Sequence, residues 1–280
     1  MSLPGRAGIV LGGFLLCGLS AARPEASSAV LRPPSSGAKP NLLLITIDTL
    51  RPDRLGCYGS PFLKTGTIDG LAEKGVVFHR AFAQATTTLP SHTTILLGKD
   101  PLHHGVHDNA HFRVGEEQLT LAEHLKAFGY ATGAFVGGFP LDSQFGLDQG
   151  FDVYDDAFEG HSARRQEYRE RKADSVVSNA LRWLDGQAGP WFLWVHCFDP
   201  HDPYEPPEPF LSQFKDHPYS GEVAYVDSAL KKLLAAVGEK GNGANTVIVL
   251  TGDHGEGLGQ HGEETHGYFA YNTTLWIPLI

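Results

Sequence analysis

The feature that most constrains the fold is a short apolar run that ends beside an acidic residue. Four consecutive aliphatic residues lie within Asn41–Thr46, with Pro40 before the run and Asp48 shortly after it. A run of this kind is typical of a strand that is buried on both faces, as in a parallel sheet covered by helices. We therefore expect the fold to begin at Asn41 with such a strand.

Similar apolar runs recur along the chain and alternate with helical patterns. Helices are predicted over Leu119–Phe128, Gln166–Leu184 and Val223–Val237, where apolar residues repeat every three or four positions. The further predicted strands are Gly75–Phe78, Tyr130–Val136, Trp191–Cys197, Thr246–Leu250 and Leu275–Ile280, the last interrupted by Pro278. This alternation predicts an α/β fold with a mostly parallel central sheet flanked by helices on both faces.

The two ends of the chain carry separate signals. Arg6 precedes an apolar run, and small residues around Ala22 suit a cleavage site, so residues 1–22 are predicted to be a signal peptide for export to the periplasm or the medium. An uncleaved membrane anchor is the alternative. Residues 23–40 are rich in Ser, Ala and Pro and predict a flexible tether, so that residues 41–280 form the folded domain. Because nothing covers the apolar strand predicted at Leu275–Ile280, we expect this domain to be incomplete at its C-terminus.

Charge and cysteine content limit the partners. The formal net charge is −10, which argues against nucleic acid as a partner because that needs a basic face. An anionic ligand is compatible with this negative charge, since a bound metal can supply positive charge.

Outside the signal segment the cysteines are Cys57 and Cys197. They could form a disulfide or remain two free thiols, and the sequence does not decide between these. The oligomeric state is not indicated.

Polar residues follow three of the predicted strands. They are Asp48, the pair Asp253 and His254, and the segment Asp199–Asp202, which includes His201. Ligands of such sheets bind beyond the carboxyl ends of the strands, so one site is expected there. Carboxylates with one imidazole suit Ca, Mg, Mn or Zn. The alternative is that Asp253 caps the next segment and His254 lies on the surface.

A second polar cluster surrounds Thr88. Pro90 suits the first turn of a helix that continues through Leu97, so Thr88 would lie just before a helix N-terminus, where the dipole favours an anion. A hydroxyl group needs activation before it can act as a nucleophile. The alternative is an ordinary helix cap. In the following segment, His103–Asn109, at most one of the adjacent histidines is expected to be functional, and a surface loop is the alternative.

Taken in order, these segments resemble the sulfatase family of the alkaline-phosphatase superfamily, over roughly Asn41 to Ile280. The matching segments are Ile47–Gly59, Thr65–Asp69, Thr88–His92, Leu96–Gly98, Phe198–Tyr204 and Thr251–Glu256. The resemblance implies an alkaline-phosphatase-like fold, a catalytic domain and the hydrolysis of a sulfuric ester at a metal site.

The chain departs from the family pattern at several positions. Sulfatases convert a Cys or Ser to formylglycine, and Thr88, which stands there, cannot yield that aldehyde, so formylglycine is not expected. His92 replaces the motif Arg, and Thr49 replaces a second Asp. Gly137 and Phe139 hold the places of a Lys and a His. What remains resembles the threonine-dependent phosphodiesterases and phospho-alcohol transferases of the superfamily.

That second resemblance implies roles for individual residues. Asp48, Thr88, Asp253 and His254 would hold one divalent metal, whose identity (Ca, Mn, Zn or Mg) is open. Candidates for a second metal are Asp199, His201, His261 and His266. His201 and His266 would bind the anion or protonate the leaving oxygen, and His92 and His104 would bind substrate.

The sequence therefore predicts metal-dependent hydrolysis of a sulfuric or phosphoric ester, with Thr88 as nucleophile. The alternatives are transfer of a phospho-alcohol group to a glycan or lipid, and a catalytically inactive relic that binds anions. The expected partner is an anionic ester, with membrane contact only through an N-terminal anchor. Specificity is expected in the loops Gln144–Ser162 and Pro203–Ser220.

Overall fold

A computed structural model describes residues 39–158, 170–239 and 245–280. The predicted signal peptide and nearly all of the predicted tether lie outside these residues. The strands are β1 (Asn41–Ile47), β2 (Ala81–Phe82), β3 (Ala131–Val136), β4 (Val153–Asp155), β5 (Trp191–Cys197), β6 (Thr246–Gly252) and β7 (Trp276–Ile277). The helices are α1 (Gly66–Ala72), α2 (Thr88–Leu97), α3 (Pro101–His104), α4 (Leu121–Ala127), α5 (Ala173–Asp185), α6 (Phe210–Gln213), α7 (Pro218–Glu239) and α8 (Asn272–Leu275).

Five strands form one sheet in the order β4-β3-β5-β1-β6, and every neighbouring pair is parallel. Successive residues of a strand face opposite sides of a sheet. Leu43 packs with Val176 of α5 and Val226 of α7, whereas Leu44 packs on the other side with α2 and α4. Helices therefore cover both faces of a parallel sheet, which confirms the predicted fold class.

The predicted helices and most of the strands are present, with shifted ends. Helix α4 begins where Thr120 and Glu123 form a capping box. Helix α7 begins five residues before the predicted Val223. The first residues of the predicted helix Gln166–Leu184 lie outside the described chain, and α5 covers the rest. No helix among the described residues is both long enough and apolar enough to span a membrane.

One predicted strand is wrong and another is only partly formed. Gly75–Phe78 is a loop in which Val76 and Phe78 are 59% and 51% exposed, because a four-residue apolar run does not by itself specify a strand. Leu275–Ile280 contains the end of α8, the two-residue strand β7, which pairs antiparallel with β2, and an isolated bridge from Leu279 to Thr251. Beyond it, Ile280 and Leu250 exchange two backbone hydrogen bonds of 2.9 and 3.0 Å, so this segment borders the end of β6.

The register of the central strands determines where the polar residues lie. Ile47 of β1 pairs with Cys197 of β5 on one side and with Gly252 of β6 on the other. The residues that follow these three strands therefore emerge at the same edge of the sheet. Among them are Asp48 and Asp253, at the end of the sheet where ligands of α/β proteins bind.

Candidate active site

Asp48 and Asp253 are completely buried, and each keeps one carboxylate oxygen without a hydrogen-bond partner. Oδ2 of Asp48 accepts a hydrogen bond of 3.3 Å from His196 Nε2. Oδ1 of Asp253 accepts from the backbone amides of Thr49 and His254, at 3.1 and 2.7 Å. Asp48 Oδ1 and Asp253 Oδ2 remain free.

The imidazole of His254 lies against both carboxylates. Its Nδ1 donates to the Gly255 carbonyl oxygen at 2.9 Å, so Nε2 carries the lone pair. Nε2 lies 3.8 Å from Asp48 Oδ1 and 3.4 Å from Asp253 Oδ2, without hydrogen-bonding either. Burial and the neighbouring His266 lower the pKa of His254 to about 3. His254 is therefore neutral near pH 7 and presents a ligand nitrogen.

The two carboxyl groups differ in their tendency to ionise. Burial opposes ionisation of Asp48, but the hydrogen bond from His196 and the nearby imidazoles of His201 and His254 outweigh it, and the pKa of Asp48 lies below its ordinary value. Burial and the charge of Asp48 raise the pKa of Asp253 well above its ordinary value. Without a cation, burial and the charge of Asp48 therefore favour a proton on Asp253, and a bound cation would favour the ionised form of both carboxyl groups.

Helix α2 begins one residue earlier than predicted, so Thr88 is its first residue and not the residue before it. Thr88 is fully buried. Its Oγ1 has no hydrogen-bond partner. His92 lies between Thr88 and Asp253: its Nδ1 donates to the Thr88 carbonyl oxygen at 2.8 Å and lies 3.5 Å from Asp253 Oδ2. The helix N-terminus offers fewer amides than expected, because Asn109 accepts from Leu89 N–H and Pro90 has none.

The residues present fit a divalent cation. Asp48 Oδ1, Thr88 Oγ1, Asp253 Oδ2 and His254 Nε2 are among the buried side-chain atoms that lack a hydrogen-bond partner. The atoms that the two aspartates and His254 offer lie within 4.8 Å of one another, and within the described chain this is the only such group. Each buried polar atom without a partner costs about 1–3 kcal/mol. Oxygen ligands with one imidazole suit Mg, Mn, Ca or Zn.

The second metal site that the resemblance implied does not form among the described residues. The carboxylate of Asp199 is occupied, because it lies 3.0 Å from Lys172 Nζ and accepts from the Ala173 amide at 2.9 Å. His261 stacks on the Tyr271 ring with centroids 4.1 Å apart. Both side chains thus have partners within the protein.

His201 and His266 face each other beside His254. Their ring centroids are 5.0 Å apart, and the His266 ring lies 4.5 Å from that of His254. Nδ1 of His201 donates to the Asp202 carbonyl oxygen, and Nδ1 of His266 donates to Glu256. Burial lowers the pKa of His266, but the hydrogen bond and charge of Glu256 outweigh it and raise that pKa. Each ring keeps Nε2 for a ligand or a proton.

His92 and His104 use both of their ring nitrogens within the protein. Nε2 of His92 accepts from the Thr46 hydroxyl at 3.0 Å, and burial with the neighbouring His196 lowers the pKa of His92 to about 3. Nδ1 of His104 accepts from the Val106 amide, and Nε2 donates to Thr94 Oγ1. Neither residue therefore has a ring nitrogen left for a ligand in this structure.

Sequence reasoning missed two residues of the site, His196 and Glu256. His196 lies inside β5, within an apolar run, and a lone polar residue in a buried strand was the signal that could have revealed it. Glu256 follows His254 by two residues, is fully buried and orients His266. Cys57 and Cys197 are both free thiols.

Comparison with known proteins gives one family. The sequence profile described as Sulfatase matches residues 40–280. Iduronate 2-sulfatase of Mus musculus is 25% identical over 97% of this chain and 63% of its own length. The ulvan-active sulfatase of Formosa agariphila is 27% identical over 86% of this chain and 56% of its own length. The chain thus spans about three fifths of these relatives.

Solved structures agree on the fold. The phosphonate monoester hydrolase of Agrobacterium radiobacter superposes with a TM-score of 0.74 and 22% identity, over 86% of this chain and 67% of its own. A protein solved in complex with its substrate D-glucosamine-2-N, 6-O-disulfate gives a TM-score of 0.75 and 19% identity, over 86% of this chain and 70% of its own.

Proposed function

The chain belongs to the sulfatase family, and we propose that it hydrolyses a sulfuric or phosphoric ester with Thr88 as nucleophile at a divalent-metal site. The observation that carries this proposal is the convergence of unpartnered buried ligand atoms from Asp48, Asp253 and His254. The unpartnered Thr88 hydroxyl lies on α2, and Ser91 of that helix hydrogen-bonds the Asp253 carbonyl oxygen. Such atoms are costly to bury unless something binds them.

Asp48, Asp253, His254 and Thr88 would hold the cation. When bound, it would supply positive charge that lowers the pKa of a hydroxyl group and offsets the charge of the ester oxygens. His254 is suited to this role because its Nδ1 proton is engaged with Gly255, which fixes the lone pair on Nε2.

The reaction would have two steps. In the first, Thr88 Oγ1, which has given its proton to solvent, forms a bond to the sulfur or phosphorus, and the bond from that atom to the ester oxygen breaks with its electron pair going to the oxygen. The protonated His266, whose ring Glu256 orients through Nδ1, is placed to give that oxygen a proton from Nε2. In the second step, water attacks the same sulfur or phosphorus and gives a proton to Nε2 of His266, while the bond to Thr88 Oγ1 breaks with its electron pair going to Oγ1. A monoester yields an alcohol and inorganic sulfate or phosphate, and a phosphodiester yields an alcohol and a phosphate monoester.

The names of the relatives suggest the class of substrate. Those named above act on iduronate sulfate or ulvan, or are phosphonate monoester hydrolases. We therefore expect an anionic monoester or diester, bound by His201 and by the cation. Export of the protein, which is predicted from the signal peptide at residues 1–22, would give it access to extracellular esters.

The test compares Thr88→Val with Thr88→Ser, because valine keeps the shape of threonine without its hydroxyl. Three substrates are used: p-nitrophenyl sulfate, p-nitrophenyl phosphate and bis(p-nitrophenyl) phosphate. Release of p-nitrophenol from each is measured with Mn²⁺, Mg²⁺, Ca²⁺ and Zn²⁺. We expect Thr88→Val to lose about a thousandfold or more in kcat, whereas Thr88→Ser keeps measurable turnover. Full activity of Thr88→Val would refute the assigned nucleophile. Quenched reactions should contain Thr88 bearing the transferred group, detected by peptide mass spectrometry.

A further inference from the structure

His196 is a completely buried imidazole inside β5, and both of its nitrogens have partners. The Gly137 amide donates to Nδ1 at 3.2 Å, and Nε2 lies 3.3 Å from Asp48 Oδ2. A backbone amide can only donate, so Nδ1 must be the acceptor and the proton must be on Nε2. The backbone amide of Gly137, the residue after β3, therefore fixes the tautomer of His196 that donates to Asp48.

The Gly137 position explains how the backbone comes so close. A Cβ atom there would lie 2.9 Å from the Phe198 amide nitrogen and 3.0 Å from the His196 carbonyl oxygen. A side chain would push the segment away from β5 and lengthen the hydrogen bond to His196. Gly137 stands where the family pattern has a lysine, so this chain lacks that ammonium group, and the small residue lets the backbone amide approach His196.

The surroundings of His196 leave its ring little freedom. The His92 ring packs edge-on against it with centroids 4.8 Å apart, and His92 is itself held by Thr46 and by the Thr88 carbonyl oxygen. Trp194 Nε1 donates to the same Thr46 hydroxyl at 2.9 Å. His196 thus donates to Asp48, and the neighbouring His92 donates to the backbone carbonyl oxygen of Thr88.

We propose that His196 is a positioning residue for Asp48. By holding Oδ2, it keeps Oδ1 turned toward Asp253 Oδ2 and His254 Nε2, where the cation would bind. The proposal rests on the proposed function, because it assumes that these atoms are metal ligands. Partners that orient a ligand typically contribute 10–100-fold to metal affinity, which sets the size of the expected effect.

The test uses two amide substitutions that each keep half of the imidazole's hydrogen bonding. In His196→Gln the terminal NH₂ reaches the position of Nε2 and can still donate to Asp48. In His196→Asn the carbonyl oxygen reaches the position of Nδ1, so the Gly137 amide keeps its acceptor while Asp48 loses its donor. Mn²⁺ alone is titrated into the metal-free full chain at pH 8, and free Mn²⁺ is measured by electron paramagnetic resonance.

We expect His196→Asn to weaken Mn²⁺ binding about 10–100-fold and His196→Gln to stay within about threefold of the wild type. Equal affinities of the two variants, both folded by circular dichroism, would overturn the proposal. The unsubstituted chain provides a second measurement, since ¹⁵N-histidine spectra should show His196 protonated on Nε2. Protonation on Nδ1 would also overturn it. A wild type that binds no metal but shows the Nε2 tautomer would instead refute the metal site of the proposed function, and with it the role of Asp48.

Discussion

The hydroxyl group of Ser91 donates a hydrogen bond of 2.6 Å to the backbone carbonyl oxygen of Asp253. Both residues are buried, and Ser91 lies one turn after Thr88 on α2. This bond therefore connects the helix that carries the candidate nucleophile to the strand end that carries a candidate metal ligand.

Ser91→Ala is expected to loosen that connection. The substitution leaves the Asp253 carbonyl oxygen buried without a donor, which costs about 1–3 kcal/mol. It also frees Thr88 to shift relative to the ester, so kcat should fall about tenfold or more. Thermal unfolding and ester turnover are measured together. Ser178→Ala is the control, because Ser178 donates to a carbonyl of its own helix on the exposed face of α5. Equal behaviour of the two variants would contradict the role of Ser91.

Asp253→Asn is expected to stabilise the metal-free protein while abolishing its response to metal. A neutral amide removes a carboxyl group whose ionisation is opposed by burial and by Asp48. The wild type should gain about 3 kcal/mol at a metal concentration of 100 times Kd, and the variant should gain little. Differential scanning calorimetry in EDTA and then in Mn²⁺ gives both numbers. Asp216→Asn, at an exposed position, should behave as wild type. A less stable metal-free Asp253→Asn would show that the two carboxyl groups do not repel each other.

The part of the site that lies at strand ends could be predicted from the sequence. Asp48, Asp253 and His254 follow apolar runs, and parallel strands bring the residues after them to one edge. Thr88 was placed at a helix start because Pro90 follows it, whereas its role as nucleophile was implied by the resemblance to the threonine-dependent enzymes. The predicted positions depend only on local pattern and on the general topology of α/β sheets.

The rest depends on contacts that local pattern does not encode. His196 faces Asp48 because of the strand register. His196 of β5 pairs with Thr46 of β1 on one side and with Val136 of β3 on the other. His92 was expected at the substrate because of its place in a motif, but its ring turns inward to Thr46. Asp199 was expected at a metal, but Lys172, which is 27 positions away in the sequence, lies beside it. Such pairings become visible only once the strands are assembled.

Asp227 makes a connection of this non-local kind that should affect stability without affecting catalysis. It lies on α7, and its carboxylate accepts from the amides of Thr67 and Ile68 in the first turn of α1, with Oδ1 at 3.1 and 2.8 Å. It therefore caps a helix 160 residues away in sequence. Asp227→Ala should lower the free energy of unfolding by about 1–2 kcal/mol. Asp227→Asn, which keeps an acceptor oxygen, should lose less.

Urea unfolding measures the stability of both Asp227 variants, and ester turnover provides the check on catalysis. We expect kcat to be unchanged, because the side-chain hydrogen bonds of Asp227 within the described structure go to the start of α1 and not to the candidate active site. A large loss of turnover at full stability would be contrary to this assignment. Equal stability of the alanine and asparagine variants would show that the acceptor oxygen does not matter.

Glu222 should make the protein less stable as the pH rises. Its buried carboxyl group lies 3.3 Å from Lys172 Nζ and accepts from the Glu205 amide. Burial and the charge of Asp199 outweigh Lys172 and raise the pKa of Glu222 to about 8, from 4.5. The folded state therefore binds a proton that the unfolded chain has released. This contribution to stability is complete below pH 4.5 and is lost as the pH rises through 8.

Glu222→Gln replaces the carboxyl group with an amide that cannot ionise but can still accept from Glu205. The melting temperature of the variant should fall less than that of the wild type between pH 5 and pH 9, by a difference on the order of 10 °C. Both proteins are measured in EDTA, so that metal binding does not contribute. Glu239→Gln, at the exposed end of α7, should follow the wild-type curve. Parallel curves for Glu222→Gln and the wild type would show that Glu222 stays ionised beside Lys172 throughout this range.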